Sequence, residues 1–321
     1  AGRQSGSGSG TSSADGRARM YLAADLLVLT VRAASFVALF QAVGACLFLA
    51  LFGNVLSSAR SRVCSLAKWS ALAGVGLTLL HYALLPVRMA GSFSAMFDGS
   101  LDAVVAHSNV ESAHVFRFAG LALLGASLDT ESLFHRATRL LGAGLALISF
   151  PLMGHTTIHE LRPLLVVLLL LHVSAAAFWF GSLAPLRIVS YRETPARRQQ
   201  IVEGFSSYAV RAVPVLLLSG ALMAGTLLGT PGELLTPYGR MLCLKTLLFA
   251  VLLWLASLNR ARLVPAMAVG DAQSLNRFRS VVATEWVLLV IVIVATALMT
   301  GLFAPESLHG SFSDGHEVDA H

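Results

Sequence analysis

Several side chains that bind soft metal ions lie at or inside the apolar segments of the chain. His155 and His159 are four residues apart, which on a helix places two imidazoles on one face, where they can grip one metal ion. Met153 precedes this pair, His172 follows it, and His81 lies near the end of an earlier apolar segment. Imidazole and thioether ligands suit copper, and Cu(I) in particular, better than magnesium or calcium. These five residues are therefore the predicted metal ligands.

Each of these residues also has a simpler interpretation. Pro151 and Pro163 flank the His155–His159 pair, so that the pair is equally compatible with two loop histidines that bind no metal. A single histidine inside a membrane helix can also be a hydrogen-bonded packing residue. The agreement in depth among several of them favours a shared site over separate packing roles.

Other candidate residues surround the predicted ligands. Lys245 lies about six residues inside an apolar segment, where we expect it to pair with an anionic group or to lose its charge through burial. A fixed cation argues against a simple cation channel. The remaining candidates lie within or between the same apolar segments, and they are Arg32, His107, His114, Trp179, Met241 and Cys243.

The composition places these residues in a membrane protein. Of the 321 residues, 56% are hydrophobic and 12% are charged, and the mean hydropathy is +0.73. A soluble domain carries about 25% charged residues. The net charge of +6 does not indicate nucleic-acid binding, because the arginines lie in short loops between apolar runs and form no patch with interleaved aromatic residues.

The apolar runs predict an all-α, polytopic membrane bundle of about eight transmembrane helices, since about 20 apolar residues span the hydrocarbon as a helix. The Gly/Ser-rich residues 1–20 are predicted to be flexible, 21–304 to form the bundle, and 305–321 to form a flexible periplasmic tail. The eight segments are placed at 30–53, 66–87, 113–128, 138–154, 163–186, 209–229, 239–258 and 284–303.

The distribution of charge predicts the orientation of the bundle. Three loops are rich in arginine, and they lie on one side of the membrane if eight helices alternate. The opposite loops and the tail carry mostly acidic residues. The positive-inside rule then predicts that both termini lie outside. The basic residues of the three loops are Arg60, Arg62, Lys68; Arg187, Arg192, Arg197, Arg198; and Arg260, Arg262, Arg277, Arg279.

With this orientation the polar groups concentrate in the outer half of the bilayer. His172 follows Pro163 by nine residues, a depth of about 14 Å at ~1.5 Å per residue. Lys245 and His81 lie at shallower positions on the same side, whereas the inner half has little besides Glu285. Such groups cost a few kcal/mol in lipid, so we expect them to line a polar cavity that opens to the periplasm.

Several stretches resemble the CopD/PcoD copper-resistance membrane family, in order, between about residue 30 and residue 303, with the best match over 140–303. Residues 171–186 are similar to the family's His-Leu-x-Ala-Ala-x-x-Trp-x-Gly-Gly-Leu stretch, with Ser182 in place of a glycine. The other matching pieces are Gly154-His155, Phe205-Ser206 with Ser219-Gly220 (Gly204 stands where arginine is usual), residues 238–245, and Asn259-Arg260. The resemblance implies eight helices in the bacterial inner membrane and copper import, or copper handling beside a periplasmic carrier of CopC type.

A more distant resemblance leads to an alternative. A helix with His172 followed by Trp179, and another with Lys245, are similar to two helices of the HemJ group of haem b membrane oxidases. That resemblance implies His172 as an axial haem ligand and Lys245 near a propionate or substrate. The protein would then be a haem-dependent redox enzyme, such as a copper reductase or a porphyrinogen oxidase.

Three functional hypotheses follow, and copper transport with His155, His172 and His81 as ligands is the leading one. The second is the haem b enzyme, and the third is a non-catalytic scaffold that docks a periplasmic copper carrier through outer-loop residues such as His107, His114 and His159. A P-loop, a nucleophile elbow, a Rossmann fingerprint and an HExxH motif are all missing from the sequence. The sequence is also compatible with a homodimer that packs through glycine-rich helix faces.

Overall fold

The computed structural model describes residues 9–90, 92–97, 99–106, 109–128, 132–153, 161–227, 231–268 and 271–302, and within these ranges the chain is helical, with no strand. The fold class predicted from composition is therefore confirmed. The α-helices in chain order are α1 (Ser9–Phe52), α2 (Arg60–Ala83), α3 (Leu85–Ala90), α4 (Gly99–Ala106), α5 (Asn109–Ala126), α6 (Leu133–Ile148), α7 (Arg162–Arg192), α8 (Pro195–Leu227), α9 (Pro237–Leu258), α10 (Val264–Ala268) and α11 (Ala272–Leu302). Short 3₁₀ turns cover Phe93–Phe97 and Pro231–Leu235, and one π-helical turn covers Asn259–Leu263.

Six stretches of the described chain are long and apolar enough to cross a membrane, whereas the sequence predicts eight. They are Leu22–Phe52, Arg60–Ala90, Arg162–Arg192, Pro195–Thr226, Pro237–Met267 and Ala272–Gly301. The two other predicted segments form α5 and α6, which have 18 and 16 residues. At ~1.5 Å per residue α6 is only about 24 Å long, against a hydrocarbon thickness of about 30 Å. The count of eight is thus not confirmed.

The helices extend well beyond the predicted apolar segments. α1 begins at Ser9, so that much of the segment predicted to be flexible is helical. α8 begins at Pro195 and α11 at Ala272, more than ten residues before the predicted segments. Hydropathy marks only the apolar part of a helix, and polar residues continue the same helix beyond it. Glu285 is an example. It comes at the start of the eighth predicted segment, 284–303, but lies near the middle of α11.

α1 forms the centre of the bundle and packs against α2, α7 and α11. Within its most hydrophobic stretch 78% of the residues are buried, compared with 6% in the corresponding stretch of α9. α1 and α7 approach most closely at Gly44 and Gly181, where a Cβ on either glycine would lie 2.5 Å from the other's Cα. Small residues allow this backbone contact, as is common between membrane helices.

Buried Gln41 joins three helices at this centre. Its Nε2 donates to the carbonyl oxygen of Gly181 on α7 at 2.9 Å, and its Oε1 accepts from Nε1 of Trp286 on α11 at 3.0 Å. The Trp286 ring also stacks on Phe180 of α7, with centroids 5.7 Å apart. Both ends of the amide are therefore satisfied, which a polar side chain inside a membrane bundle requires.

The three basic loops lie at the same end of the bundle. Oε1 of Glu193, after α7, accepts from the backbone N–H groups of Ser57 and Ala59, after α1, at 2.8 and 2.9 Å. Arg279 near the start of α11 donates to the carbonyl oxygen of Ser190 at 2.5 Å. A pair of helices that both cross the membrane returns the chain to the side from which it started, and so does a pair that does not cross. The three basic loops therefore share one side whether the chain has six or eight spans.

Candidate functional site

His172 lies on α7 against α8, ten residues after the helix begins at Arg162. Its Nδ1 lies 3.0 Å from the carbonyl oxygen of Leu216. A carbonyl oxygen only accepts, so Nδ1 carries the proton and Nε2 of the neutral ring keeps its lone pair. Gly220 makes room for the ring, because a Cβ there would lie 3.0 Å from Cε1 of His172.

Helix α9 contributes Lys245 to the surroundings of His172. Lys245 is half-buried and lies within electrostatic range of the imidazole. One turn further along α9, the Phe249 ring meets buried Trp179 of α7 edge-on, with centroids 5.6 Å apart. This ring contact links α7 to α9. That Lys245 and His172 line one polar cavity stays a prediction.

His81 and His114 form a second polar centre between α2 and α5. Both rings are buried, each with 4% exposure. Nδ1 of His81 lies 2.9 Å from Nε2 of His114, and Nδ1 of His114 lies 2.7 Å from the carbonyl oxygen of Val110. Because that carbonyl fixes the proton of His114 on Nδ1, its Nε2 accepts and Nδ1 of His81 donates. Nε2 of His81 therefore keeps a lone pair, as Nε2 of His172 does.

Three arginines surround the histidine pair. The guanidinium of buried Arg117 on α5 lies between the rings of Phe36 and Phe150, 5.2 and 5.0 Å from their centroids. Arg32 on α1 donates to Thr300 Oγ1 on α11 at 3.1 Å. Arg88 on α3 donates to the carbonyl oxygen of Gly301 at 2.7 Å and pairs with Asp25 at 3.4 Å. The guanidinium groups of these three arginines place positive charge near the histidine pair.

The predicted ligands do not all meet in the described chain. His81 lies between α2 and α5, whereas His172 lies between α7 and α8, so that they belong to separate helix pairs. Among the residues that the structure describes, no group of three or more His, Cys, Asp or Glu side chains could hold one metal ion. His155, His159 and His107 lie outside the described residues. Their part in a copper site stays a prediction.

The remaining candidates take varied positions. Met153 is half-buried just after α6, and Met241 is half-buried on α9, one turn before Lys245. Cys243 is exposed on α9, and none of the three cysteines, which all lie in the described chain, forms a disulfide. An exposed side chain two residues from Lys245 lies on another face of the helix, so Cys243 does not join the His172 region.

Sequence reasoning assigned no role to three polar residues that the fold buries. Arg117 and Gln41 lie inside predicted apolar segments, and Asn259 follows the segment 239–258, where it packs beside Glu285. A polar side chain inside a predicted span was the signal that could have identified Gln41 and Arg117, because such residues are costly in lipid and rarely incidental. The pairing of Asn259 with Glu285 had no sequence signal, since it joins two different helices.

Comparison with known proteins gives two family matches that follow each other along the chain. Residues 23–162 match the N-terminal domain of copper resistance protein D-like proteins, and residues 199–299 match copper resistance protein D. The first match ends at the first residue of α7, and the second covers most of α8, all of α9 and most of α11. Together the two matches cover most of the bundle. No solved structure shows a significant match to the chain.

Two curated relatives agree with these matches. The chain is 31% identical over 135 residues to the inner membrane protein YebZ of Escherichia coli strain K12, which covers 41% of this chain and 47% of that protein. It is 26% identical over 157 residues to the copper transport protein CutJ of Bacillus subtilis strain 168, which covers 47% of this chain and 28% of that protein. The chain thus spans about half of the first relative and a smaller share of the second. With its apolar helices and its inner-membrane relative, it is a multi-pass protein of the bacterial inner membrane, and it belongs to the copper-resistance protein D family.

Proposed function

We propose that this chain takes copper up from the periplasm through a histidine- and methionine-lined region in the outer half of its helix bundle. The observation that carries the proposal is the state of His172, whose Nδ1–H is fixed on the Leu216 carbonyl oxygen. Metal-binding histidines almost always donate their other ring N–H to a carbonyl or carboxylate in this way. Nε2 of His172 is thereby oriented and free to bind Cu(I).

His81 supports the same proposal from the other helix pair. Its Nδ1–H is anchored by His114, which is in turn anchored by Val110, so that the lone pair of Nε2 has one fixed direction. Copper would pass from Met153, His155 and His159 at the outer surface to His81 or His172. The nearby Arg117 and Lys245 disfavour permanent occupation by a cation, which suits a transfer site better than a storage site.

The direction of transport rests on the proposed orientation, with both termini in the periplasm and with α5 and α6 as two further spans. The orientation can be tested with single cysteines at Ser58 and Ser94, introduced into a chain whose own cysteines are replaced. With intact inner-membrane vesicles of known sidedness, a membrane-impermeant thiol reagent should label the two positions from opposite sides. Labelling of Ser58 from the periplasmic side would reverse the proposed direction.

Copper uptake by liposomes tests the function directly. Liposomes that contain the purified chain should accumulate copper, and His172→Ala should reduce this to the level of protein-free liposomes. His135→Ala is the matched control, because His135 bonds to Ser132 at the start of α6, away from both centres. Wild-type uptake in the His172→Ala variant would remove His172 from the mechanism, and no uptake by the wild type would refute the transport function.

A haem b redox enzyme is the second candidate, and the proximity of Lys245 to His172 favours it. His172 would be the axial ligand through Nε2, Lys245 would stand near an anionic group of the porphyrin, and the haem would supply one-electron chemistry. Protein purified from haem-replete cells should then show a Soret band that His172→Ala removes. A colourless preparation that still transports copper would exclude this candidate in favour of transport.

We also propose two partners for the chain. A periplasmic carrier of CopC type would deliver copper at the outer loops, and a second copy of the chain could pack on the lipid-facing helices. Binding of copper-loaded carrier should weaken in His107→Ala and His159→Ala but not in His172→Ala. Equal binding by all three variants would argue against docking at these loops.

A further inference from the structure

Glu285 on α11 is a buried acid that has no role in the copper binding proposed for the outer half of the bundle. It is 2% exposed, and Asn259, which is 9% exposed, is its side-chain hydrogen-bond partner. One oxygen of each side chain, Oε1 of Glu285 and Oδ1 of Asn259, is buried without a hydrogen-bond partner. Two buried acceptors that lack donors are costly, and they call for an explanation.

The position of Glu285 makes that cost larger. α11 runs from Ala272 to Leu302, so that about 20 Å of helix precedes Glu285 and about 25 Å follows it, at ~1.5 Å per residue. The first turns of α11 are polar up to Ser280, so that Glu285 lies about 9 Å along the helix from Arg279, inside the apolar part of the helix. An ionisable residue within the apolar part of such a helix is rare and is usually functional.

No counter-charge within the described chain faces Glu285. The elements packed against α11 are α1, α7, α9, α10 and the π turn that follows α9. Between Arg32 and the end of α1 there is no charged residue, α10 has none, and in α7 none lies between His172 and Arg187. On α9, Lys245 precedes Asn259 by about 21 Å of helix at ~1.5 Å per residue, and Arg240 is more distant still. In the π turn, Arg260 donates to the carbonyl oxygen of Ser206 and Arg262 is exposed. On α11 itself, Arg279 is bonded to Ser190, more than one turn away.

The π turn gives Asn259 its place beside Glu285. Asn259–Leu263 forms this single wide turn between α9 and α10. Such turns are frequent at functional sites, because the extra residue rotates the following side chains and loosens the backbone hydrogen bonds. Here the turn presents an amide that can donate through Nδ2 and accept through Oδ1. An amide of this kind can pair with either form of a carboxyl group.

We propose that Glu285, with Asn259 as its partner, is a membrane-embedded proton-binding site that couples copper movement to proton movement. One added proton turns one buried acceptor of the carboxyl into a donor and leaves no uncompensated charge in the bundle. When copper enters with a positive charge, the proton leaves the carboxyl oxygen for water, and the carboxylate that remains balances that charge. The coupling step rests on the proposed copper transport, whereas proton binding by Glu285 does not.

Infrared spectroscopy of the full chain in lipid nanodiscs tests the proton site without copper. The wild type at neutral pH should show the C=O stretching band of a protonated carboxylic acid, which shifts in D₂O. Glu285→Gln should remove the band, and Glu285→Asp should restore one at a shifted frequency. Glu203→Gln is the matched control and should keep it, because Glu203 is exposed on α8 and accepts from Gln199 on the same helix. A wild type without the band, or a Glu285→Gln variant that retains it, would overturn the proposal.

Proton release during copper uptake tests the coupling. Liposomes that contain the wild-type chain and a pH-sensitive dye should show protons released in proportion to copper taken up. Glu285→Gln should lose that release, and its residual uptake should no longer vary with pH. Copper uptake without proton release in the wild type would overturn the coupling and leave the transport function standing. An infrared band in a wild type that moves no copper would refute transport instead.

Discussion

The imidazoles of His81 and His114 are joined by a hydrogen bond of 2.9 Å between Nδ1 of the first ring and Nε2 of the second. The rings are stacked with centroids 5.1 Å apart, and Tyr82 meets His114 edge-on at 5.4 Å. The two rings belong to α2 and α5, so that the bond ties a long spanning helix to one of the two short ones. The pair therefore has a structural role whether or not His81 also meets copper.

The bond should contribute measurably to stability. His81→Ala removes a donor and leaves Nε2 of His114 without a partner in the bundle. Hydrogen bonds between membrane helices have coupling energies of about 0.6 kcal/mol on average and up to about 1.7 kcal/mol, and we expect His81 and His114 to lie in the upper part of that range. A double-mutant cycle with both alanine variants, followed by circular dichroism during unfolding in mixed micelles, measures it. Additive effects of the two substitutions would contradict the pairing.

The space around His172 offers a test that leaves the ligand itself unchanged. Gly220→Ala would place a Cβ 3.0 Å from Cε1 and 3.2 Å from Nδ1 of His172, closer than ordinary contact. The ring must move or leave its preferred rotamer at a cost of about 0.5–1.5 kcal/mol, so copper affinity should fall by a few-fold to about tenfold. Isothermal titration with Cu(I) under anaerobic conditions measures the affinity.

Gly225→Ala is the matched control for that variant. It is the same substitution on the same helix, and a Cβ at Gly225 would meet nothing within 4 Å. We expect unchanged copper affinity and a gain in stability of up to about 1 kcal/mol from the higher helix propensity of alanine. Equal losses of affinity in both variants would show that Gly220 acts on the helix and not on the ring.

The membrane class and the apolar helices could be predicted from the sequence because both depend on local composition. The number of spans could not, since hydropathy marks the segments 113–128 and 138–154 as apolar but α5 and α6 are too short for it to decide whether they cross the membrane. The packing of these two helices could not be predicted either: a Cβ at Gly142 would lie 2.6 Å from the carbonyl oxygen of Gly120. Such a contact between two helices leaves no pattern that distinguishes these glycines from others nearby.

The candidate site, like the fold, could be predicted only in part from the sequence. An ionisable residue in an apolar run is visible in the sequence, and His81, His172 and Lys245 were recognised for that reason. Their partners were not, because Leu216 offers only a backbone carbonyl and Arg117 acts through a fold that joins α1, α5 and α6. The sequence therefore identifies costly residues, whereas the structure identifies the groups that stabilise them.

Gly142 and Gly144 on α6 give a third prediction, on the packing of the short helices. Gly142→Ala would place a Cβ 2.8 Å from the backbone nitrogen of Leu124 as well as against Gly120, so α5 and α6 must separate. We expect a loss of about 1–3 kcal/mol from this overpacking. Gly144→Ala meets nothing within 4 Å and should be neutral or stabilising. Unfolding in mixed micelles compares the two, and equal stability would contradict the close α5–α6 contact.

Asp271 gives a prediction about pH at the basic end of the bundle, outside the spanning segments. Its carboxylate accepts from the hydroxyl and backbone N–H of Ser274 and from the backbone N–H of Gln273. Asp271 thus caps the start of α11. The hydrogen bond from the Ser274 side chain, followed by that from the Gln273 backbone, lowers the pKa of Asp271 below its ordinary value of 3.8. A carboxyl whose pKa is lowered by folding stabilises the folded state above the unfolded pKa and loses that contribution as the pH falls through the folded pKa.

The cap should therefore be intact at neutral pH and weaken only when the pH falls below 3.8. Hydrogen exchange of the Gln273 and Ser274 amides, followed by mass spectrometry after labelling at several pH values and corrected for intrinsic exchange rates, should show protection lost in that range. Asp271→Asn still caps the helix but has no titratable proton, so its protection should not change with pH. Protection that falls equally in Asp271→Asn would assign the acid transition to another carboxyl group, and protection lost already near neutral pH would show that Asp271 does not cap α11.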